Sequence, residues 1–276
     1  MRVVIATDLS EASLAAVELM TSCSPLAFER VALVHAVDVD LYTAGGTVPE
    51  VVEYAQEHLA RIAVRLEEAG FETTVRVEVG SAVDIIERTT AEEGAELVIM
   101  TNLGRGAVTG RLLGSTAELL ASKGNLPVLI ERVGEREGAW CRIGEGAPFD
   151  RVLVGADLTE SLAAQLAAVS ALPGLGEVRI VHVADPGLDP EPVRQRLALL
   201  AAGCLPDVPC EYGVRTDLGA ALGLLAEADE WGATMIAVSP AAHGIVHRAI
   251  WGSTARRIAK ESSLPVLFVP TAADKR

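Results

Sequence analysis

A glycine-rich segment in the middle of the chain carries the residues best suited to chemistry. It begins with Thr101-Asn102-Leu103-Gly104-Arg105-Gly106 and runs through Gly110 to Gly114-Ser115-Thr116. Glycine lets the backbone approach a ligand closely, and a helix starting at Gly114-Ser115 would present free amides and a positive dipole end. The segment is therefore a candidate phosphate cradle. The alternative is that its glycines only shape a tight crossover.

Two common phosphate-binding loops do not occur in the sequence. No Lys follows a glycine in the GxxxxGK[ST] arrangement, and no GxGxxG follows the first strand of either half of the chain. Arg105 and Arg111 could neutralise phosphate charge beside the glycines, or they could be solvated loop charges.

The end of this segment recurs later in the chain. Gly114-Ser115-Thr116-Ala117 and the following Leu126-Pro127-Val128 return as Gly252-Ser253-Thr254-Ala255 and Leu264-Pro265-Val266. The offset between the copies is the same at the serines and at the prolines. A register kept through a turn, a helix and a strand indicates an internal repeat of domain length.

The start of each copy also carries an acidic residue at a repeated place. An apolar run ends in Thr7-Asp8 in the first copy and in Ala156-Asp157 in the second, and a hydroxyl residue stands two places after each aspartate. A carboxylate at the end of a strand can bind a ligand. It can also cap the helix that follows.

Each copy places a histidine inside its second apolar run. His35 precedes Ala36, and His182 precedes Val183. Both histidines are expected to be buried, hydrogen-bonded structural residues. His243 and His247 have HxxxH spacing, but no third zinc ligand is apparent, so no metal site is predicted.

Composition limits the class of protein. The chain has 276 residues, of which 50% are hydrophobic, and a net charge of −15, which opposes binding to nucleic acid or anionic membranes. No apolar stretch reaches membrane-spanning length and no signal peptide is recognised, so a cytoplasmic protein is expected. The 4 cysteines form no CxxC pair and are expected to be free thiols.

The elements that must position these residues follow an alternating pattern. Continuous Val/Ile/Leu runs indicate strands buried on both faces, and each copy predicts five strands alternating with four helices. We therefore expect an α/β fold of two tandem doubly wound parallel five-stranded sheets, Rossmann-like and related by a pseudo-two-fold axis. The ligand site should lie at the carboxyl ends of strands beside the topological switch point.

Domain boundaries and helix ends follow from the same pattern. Residues 1–133 and 150–272 are predicted to be the two domains, and 134–149, rich in Gly and Glu without apolar periodicity, the linker. Ser10 and Ser115 are predicted N-caps, and Gly70 and Gly94 predicted helix stops. The last strand of each copy, 128–130 and 266–269, should pair with the other, because its open edge needs cover.

With these motifs the chain resembles the universal stress protein family in a tandem two-domain form. Nucleotide-binding members carry G-x2-G-x9-G-[S/T] after the fourth strand, and Gly104, Gly114 and Ser115 match its last three elements, while Thr101 stands at the first glycine. The second copy keeps Gly252-Ser253, with Ser239 and Ala242 at the two earlier glycine positions.

The resemblance implies a regulatory protein that binds adenine nucleotide, ATP with or without Mg²⁺, mainly in the first copy and without substantial turnover. It implies an intramolecular pseudo-dimer, with an unidentified protein partner, and leaves a homodimer open. It implies that Asp8 and Asp157 meet the ribose or adenine side and that Ala36 and Val183 contact adenine. The candidate site therefore comprises Thr7, Asp8, Ala36, Thr101, Gly104, Arg105, Gly114, Ser115, Thr116, Asp157, Val183, Gly252 and Ser253.

Three rival functions remain. A slow ATPase or nucleotidyl transferase could use the same cradle, since Asp8 could help to hold Mg²⁺, although no constellation of catalytic residues is apparent. A scaffold that has lost nucleotide is compatible with the missing glycines. A phosphoacceptor receiver domain is disfavoured, because the third and fifth strands are not followed by the Asp and Lys that it needs.

Overall fold

The structure is a computed structural model of the chain. It describes residues 1–15, 17, 20, 28–38, 47–103, 114–123, 126–143, 147–158, 161–240 and 252–270. These residues form two compact units, the first comprising 1–119 and 131–143 and the second 120–130 and 144–276. None of the described helices is long and apolar enough to cross a membrane.

The first unit is built on four parallel strands in the order β4-β1-β2-β3. Its strands are β1 Arg2–Ala6, β2 Arg30–Val37, β3 Thr73–Val79 and β4 Leu97–Thr101. Its helices are α1 Glu11–Leu14, α2 Val48–Glu68, α3 Ala82–Glu93 and the start of α4 Ser115–Lys123. The predicted strands and the two long predicted helices are confirmed to within about two residues, the usual uncertainty of such boundaries.

The second unit repeats this order as β10-β9-β8-β11-β12, all parallel. Its strands are β8 Arg151–Gly155, β9 Glu177–Val183, β10 Cys210–Arg215, β11 Met235–Val238 and β12 Val266–Phe268. Its helices are α5 Ser161–Ser170, α6 Pro190–Ala201, α7 Ala220–Trp231 and α8 Ser253–Glu261. The predicted doubly wound parallel fold is therefore confirmed.

The strand β5, Val128–Glu131, belongs to the first copy in sequence, but its residues 128–130 are part of the second unit. It pairs antiparallel with β12, with Ile130 opposite Val266 and Val128 opposite Phe268. The predicted pairing of the two final strands is thus found. Both strands are buried along their length, as continuous apolar runs require.

Helix ends follow the local sequence closely. The Ser10 side chain accepts a hydrogen bond from the Ser13 amide, and Gly94 ends α3 in the left-handed conformation at φ 60. The prediction for Ser115 is wrong by one residue. Ser115 is the first residue of α4, and the carbonyl of Gly114 accepts the first helical hydrogen bond, from Glu118.

The segment predicted as a linker without regular structure contains a hairpin. Strands β6 Val133–Arg136 and β7 Ala139–Arg142 pair antiparallel in the first unit. Glu137 and Gly138 both have positive φ, 54 and 81, as a two-residue type I′ turn requires. Trp140 packs against a buried apolar cluster of Ala12, Ala15, Leu103 and Val133. The linker boundaries themselves remain a prediction.

Candidate functional site

The strand order creates the same crevice in both units. Chain connections leave the first strand of each unit, β1 or β8, toward the second strand on one side, and the fourth strand, β4 or β11, lies on the other. Loops at the carboxyl ends of these two strands diverge at this switch point, which is where open α/β sheets bind ligands.

A cavity of about 380 Å³ lies at the switch point of the second unit. This volume is within the range of small-molecule sites. The ends of three strands and the starts of two helices line it: residues 155–157, 181–183, 238 and 239, 220 and 224, and 252–255. Of the predicted site residues, the structure thus brings together Asp157, Val183, Gly252 and Ser253.

At two positions near this cavity, glycine leaves room for apolar side chains that line it. A Cβ at Gly155 would lie 2.7 Å from Leu224 Cδ1, and a Cβ at Gly223 would lie 2.9 Å from Val183 Cγ2. Sequence reasoning missed these two glycines, because each is required by a side chain distant in sequence.

The aspartates organise the turn that follows the first strand. Asp8 Oδ1 accepts hydrogen bonds from the amide and the hydroxyl of Ser10, at 3.0 and 2.6 Å. In the second unit the Ser161 hydroxyl lies 2.8 Å from both carboxylate oxygens of Asp157. Each carboxylate is thus held by a serine at the start of the helix that follows. Asp157 also lines the cavity, so the same carboxylate can face a ligand.

The residue after each aspartate has a strained backbone. Leu9 and Leu158 have φ values of 64 and 60, in the left-handed region that side chains other than glycine, Asn and Asp rarely adopt. The Thr7 hydroxyl supports the first of these turns by accepting a hydrogen bond from the Leu9 amide at 3.0 Å. Repeated strain at corresponding positions indicates that the turn geometry matters at both crevices.

The two histidines hold the ends of the first strands. Nδ1 of His35 lies 2.9 Å from the carbonyl oxygen of Thr7, and Nδ1 of His182 lies 2.8 Å from that of Ala156. A carbonyl only accepts, so each Nδ1 carries the hydrogen. The prediction of structural histidines is confirmed for His35, which is buried, whereas His182 is half-buried and lines the cavity.

In the first unit the described residues give the frame of the corresponding crevice. Thr7 is buried, its hydroxyl 2.7 Å from that of Ser13, and the buried Thr101 hydroxyl donates to the Leu103 carbonyl at 2.6 Å. Ala36 is half-buried at the end of β2. Gly104, Arg105 and Arg111 lie outside the described residues.

The backbone conformation of Gly114 does not itself require a glycine. Among the residues that the structure describes, a Cβ built there would have no neighbour within 4 Å, and its φ is not in the left-handed region. Ser115 and Thr116 follow it as the first residues of α4.

In the second unit, α8 likewise begins with a serine directly after a glycine. Gly252 is the N-cap, with an extended backbone and no side chain to cap the helix, and the first turn contains no acidic residue. The Gly252 amide donates to the carbonyl of Pro240 at 2.9 Å. The amides of the following residues therefore face a position that suits an anion.

A family model described as the universal stress protein family matches residues 1–132 and 189–270, more than half of the chain. The chain belongs to the universal stress protein family. A universal stress protein of Methanocaldococcus jannaschii is 26% identical over 150 residues, which cover 47% of this chain and 93% of the relative. The two matched segments agree with the tandem repeat found in the sequence.

Solved structures share the fold over the whole chain. A universal stress protein from Archaeoglobus fulgidus has a TM-score of 0.75 at 24% identity, covering 99% of this chain and 97% of that one. A protein of unknown function from Pseudomonas aeruginosa has a TM-score of 0.67 at 14% identity, covering 99% and 93%. The tandem universal stress protein fold is therefore shared across these distant sequences.

A buried charged cluster lies next to the end of β4 in the first unit of this universal stress protein. Glu131 is fully buried, and its Oε1 lies 3.3 Å from Arg142 Nε. Burial raises the pKa of Glu131, opposed by Arg142, and burial lowers the pKa of Arg132 to about 10. The Glu131 carbonyl accepts from the Asn102 amide at 3.0 Å, which ties the cluster to the end of β4.

No group of three or more metal-ligating side chains occurs within the part of the chain that the structure describes. His243 and His247 lie outside it. Three of the cysteines, Cys141, Cys204 and Cys210, are free thiols, and Cys23 is not among the described residues.

Proposed function

We propose that this universal stress protein is a cytoplasmic, stress-response regulatory protein that binds adenine nucleotide at its switch-point crevices without substantial turnover. The observation that carries the proposal is the cavity of about 380 Å³, which joins an aspartate, the end of β9 and an open helix start.

The apolar part of the cavity suits a purine ring. Its apolar lining comes from Val181, Val183, Leu224 and Val238. The backbone at Val183 can supply the polar contacts that orient an adenine. His182 fixes this strand end through its bond to Ala156. Val183, and Ala36 in the first copy, are thus proposed to contact adenine.

The Asp157 carboxylate and the start of α8 suit the ribose and the phosphate of a nucleotide. Asp157 lies on the cavity wall, where its oxygens can accept hydrogen bonds from ribose hydroxyls. The start of α8 at Gly252 and Ser253 offers amides and a positive dipole end to a phosphate. Asp8, Gly114 and Ser115 are proposed to act in the same way in the first copy.

The first copy is proposed to be the tighter site and to take ATP, with Asp8 available to Mg²⁺. It retains Gly104 and Gly114, so phosphates can approach the backbone at two loop points, whereas the second copy keeps Gly252 and has Ala242 at the place of Gly104. Arg105 and Thr116 of the first copy would add a cation and a hydroxyl to the cradle.

The test is direct. Purified protein is denatured, and the released small molecules are identified by mass spectrometry, with titration calorimetry of ATP, ADP and AMP on nucleotide-free protein. Retained or titratable adenine nucleotide with no product above a no-protein control supports the proposal. Linear turnover of labelled ATP would favour a slow ATPase or nucleotidyl transferase, and the absence of any binding would favour a protein-interaction scaffold.

A further inference from the structure

The β6–β7 hairpin contacts both segments that diverge at the switch point of the first unit. On the side of β1, Trp140 packs against Ala12 of α1 and against Ala15, which caps the end of that helix. On the side of β4, Trp140 packs against Leu103, two residues after the strand ends at Thr101. Ala12, Ala15 and Leu103 are buried. One half-buried aromatic side chain thus joins the two segments between which the first crevice opens.

Each of these segments leads directly to a proposed ligand-binding residue. Ser10, the N-cap of α1, accepts a hydrogen bond from the Ser13 amide, and its hydroxyl donates to Asp8 Oδ1 at 2.6 Å. On the other side, Leu103 directly precedes Gly104 in the sequence. A shift of α1 would therefore move the Asp8 carboxylate, and a shift of Leu103 would move the start of the glycine-rich segment.

Hydrogen bonds at its base hold the hairpin to the sheet of the first unit. The Val133 amide donates to Oδ1 of the buried Asn102 at 3.1 Å, and the Ile143 amide donates to the Arg132 carbonyl at 2.8 Å. These bonds fix the first residue of β6 and the residue after β7. The place of Trp140 is therefore set by the end of β4 as well as by its contact with α1.

We infer that Trp140 is a positioning residue of the first crevice, through which the hairpin holds α1 and Leu103 at the spacing that a nucleotide requires. The inference rests on the proposed function and adds to it a residue from the segment that follows β5. A crevice held in its binding geometry before the ligand arrives binds more tightly, because little ordering remains to oppose binding. Without the tryptophan only a fraction of the molecules would have that geometry, and the affinity would fall by the same fraction.

The first experiment is calorimetric titration of the full chain with ATP, at a temperature where every variant is folded. Trp140→Ala should weaken the high-affinity ATP site about tenfold, a common size for the coupling between two sites. Trp140→Phe keeps an aromatic ring against α1 and should recover most of the affinity. The matched control is Trp231→Ala. Trp231 is half-buried in the second unit, where Arg151 Cζ lies 4.5 Å from its ring centroid, and its loss should leave the high-affinity site unchanged.

The second experiment uses the wild-type protein and so does not depend on the folding of a variant. If the packed hairpin favours ATP binding, ATP must favour the packed hairpin by the same factor. Saturating ATP should therefore slow hydrogen exchange about tenfold in peptides covering residues 133–142. Peptides covering residues 55–66, in the middle of α2 of the same unit, serve as the control and should exchange at nearly the same rate with and without ATP.

Each other outcome has a defined meaning. Unchanged ATP affinity in Trp140→Ala, or an equal loss in Trp140→Ala and Trp231→Ala, overturns the inference and leaves nucleotide binding standing. Equal slowing of exchange in 133–142 and 55–66 also overturns it, because ATP would then stabilise the first unit as a whole. If the wild-type protein binds no ATP in the titration, the proposed function itself fails, and the inference fails with it.

Discussion

The imidazole of His35 donates from Nδ1 to the carbonyl oxygen of Thr7 across 2.9 Å, and so anchors the end of β1 to the neighbouring strand. The second unit repeats the contact at 2.8 Å between His182 and Ala156. Each bond fixes the residue directly before the aspartate at a crevice. In both copies a histidine thus holds the strand end that leads into the candidate ligand-binding carboxylate.

His35→Ala should destabilise the protein by about 2 to 4 kcal/mol, because it leaves a cavity and an unsatisfied buried carbonyl. His35→Asn should lose roughly half as much, since the Asn amide can donate from a similar place. Urea unfolding measures both. Equal losses would show that packing, and not the bond to Thr7, makes the contribution.

Gly114→Asp should abolish most high-affinity ATP binding measured by calorimetry, because the new carboxylate would face the phosphates. The fold should tolerate it, since a Cβ at Gly114 meets no atom of the described residues within 4 Å. The matched change Gly252→Asp in the second copy should leave the high-affinity site nearly unchanged. If Gly252→Asp proves more damaging, or if both sites titrate alike, the assignment of the tighter site to the first copy is wrong.

Arg142→Met should destabilise the protein by about 3 kcal/mol near pH 8, because it removes the guanidinium that pairs with the buried Glu131 carboxylate at 3.3 Å. The pKa of Glu131 is already raised by burial and would rise further. A raised folded-state pKa penalises the fold above that pKa, and the penalty disappears below the unfolded-state pKa. The difference from the wild-type protein should therefore shrink as the pH falls toward about 5.

The control for this prediction is an exposed ion pair. Arg194 lies 2.6 Å from Glu191 on α6, with side chains 43% and 55% exposed. Arg194→Met should change the unfolding free energy by less than about 1 kcal/mol at any of these pH values. A loss for Arg142→Met that does not vary with pH would contradict the role given to Glu131.

A single substitution in the turn of the β6–β7 hairpin should stabilise the first unit. Glu137 has φ 54 and precedes Gly138 at φ 81, and Asn-Gly is the pair that favours this type I′ turn. Glu137→Asn should stabilise the first unit by about 0.5 kcal/mol, whereas Gly138→Ala should destabilise it by about 1 kcal/mol. Thermal melts of the two variants that shift in the same direction would contradict this turn type.

Much of the fold could be predicted from local patterns. The continuous apolar runs of β1 and β8 predict strands buried on both faces, and Ser10 and Gly94 mark helix ends, because these signals act within one strand or turn. The hairpin was missed, since the apolar surface of Trp140 is covered by α1 and Leu103, which are distant in sequence.

The sequence by itself determined the repeat, the alternation of strands and helices, the family and the aspartate of each crevice, because repeats, periodicity and motifs are properties of the chain order. Only the tertiary structure decided that Leu9 and Leu158 hold strained turns and that Gly155 and Gly223 leave room for the apolar side chains of the cavity. These features depend on which strand end lies next to which helix start. That arrangement is fixed by packing between residues far apart in the chain.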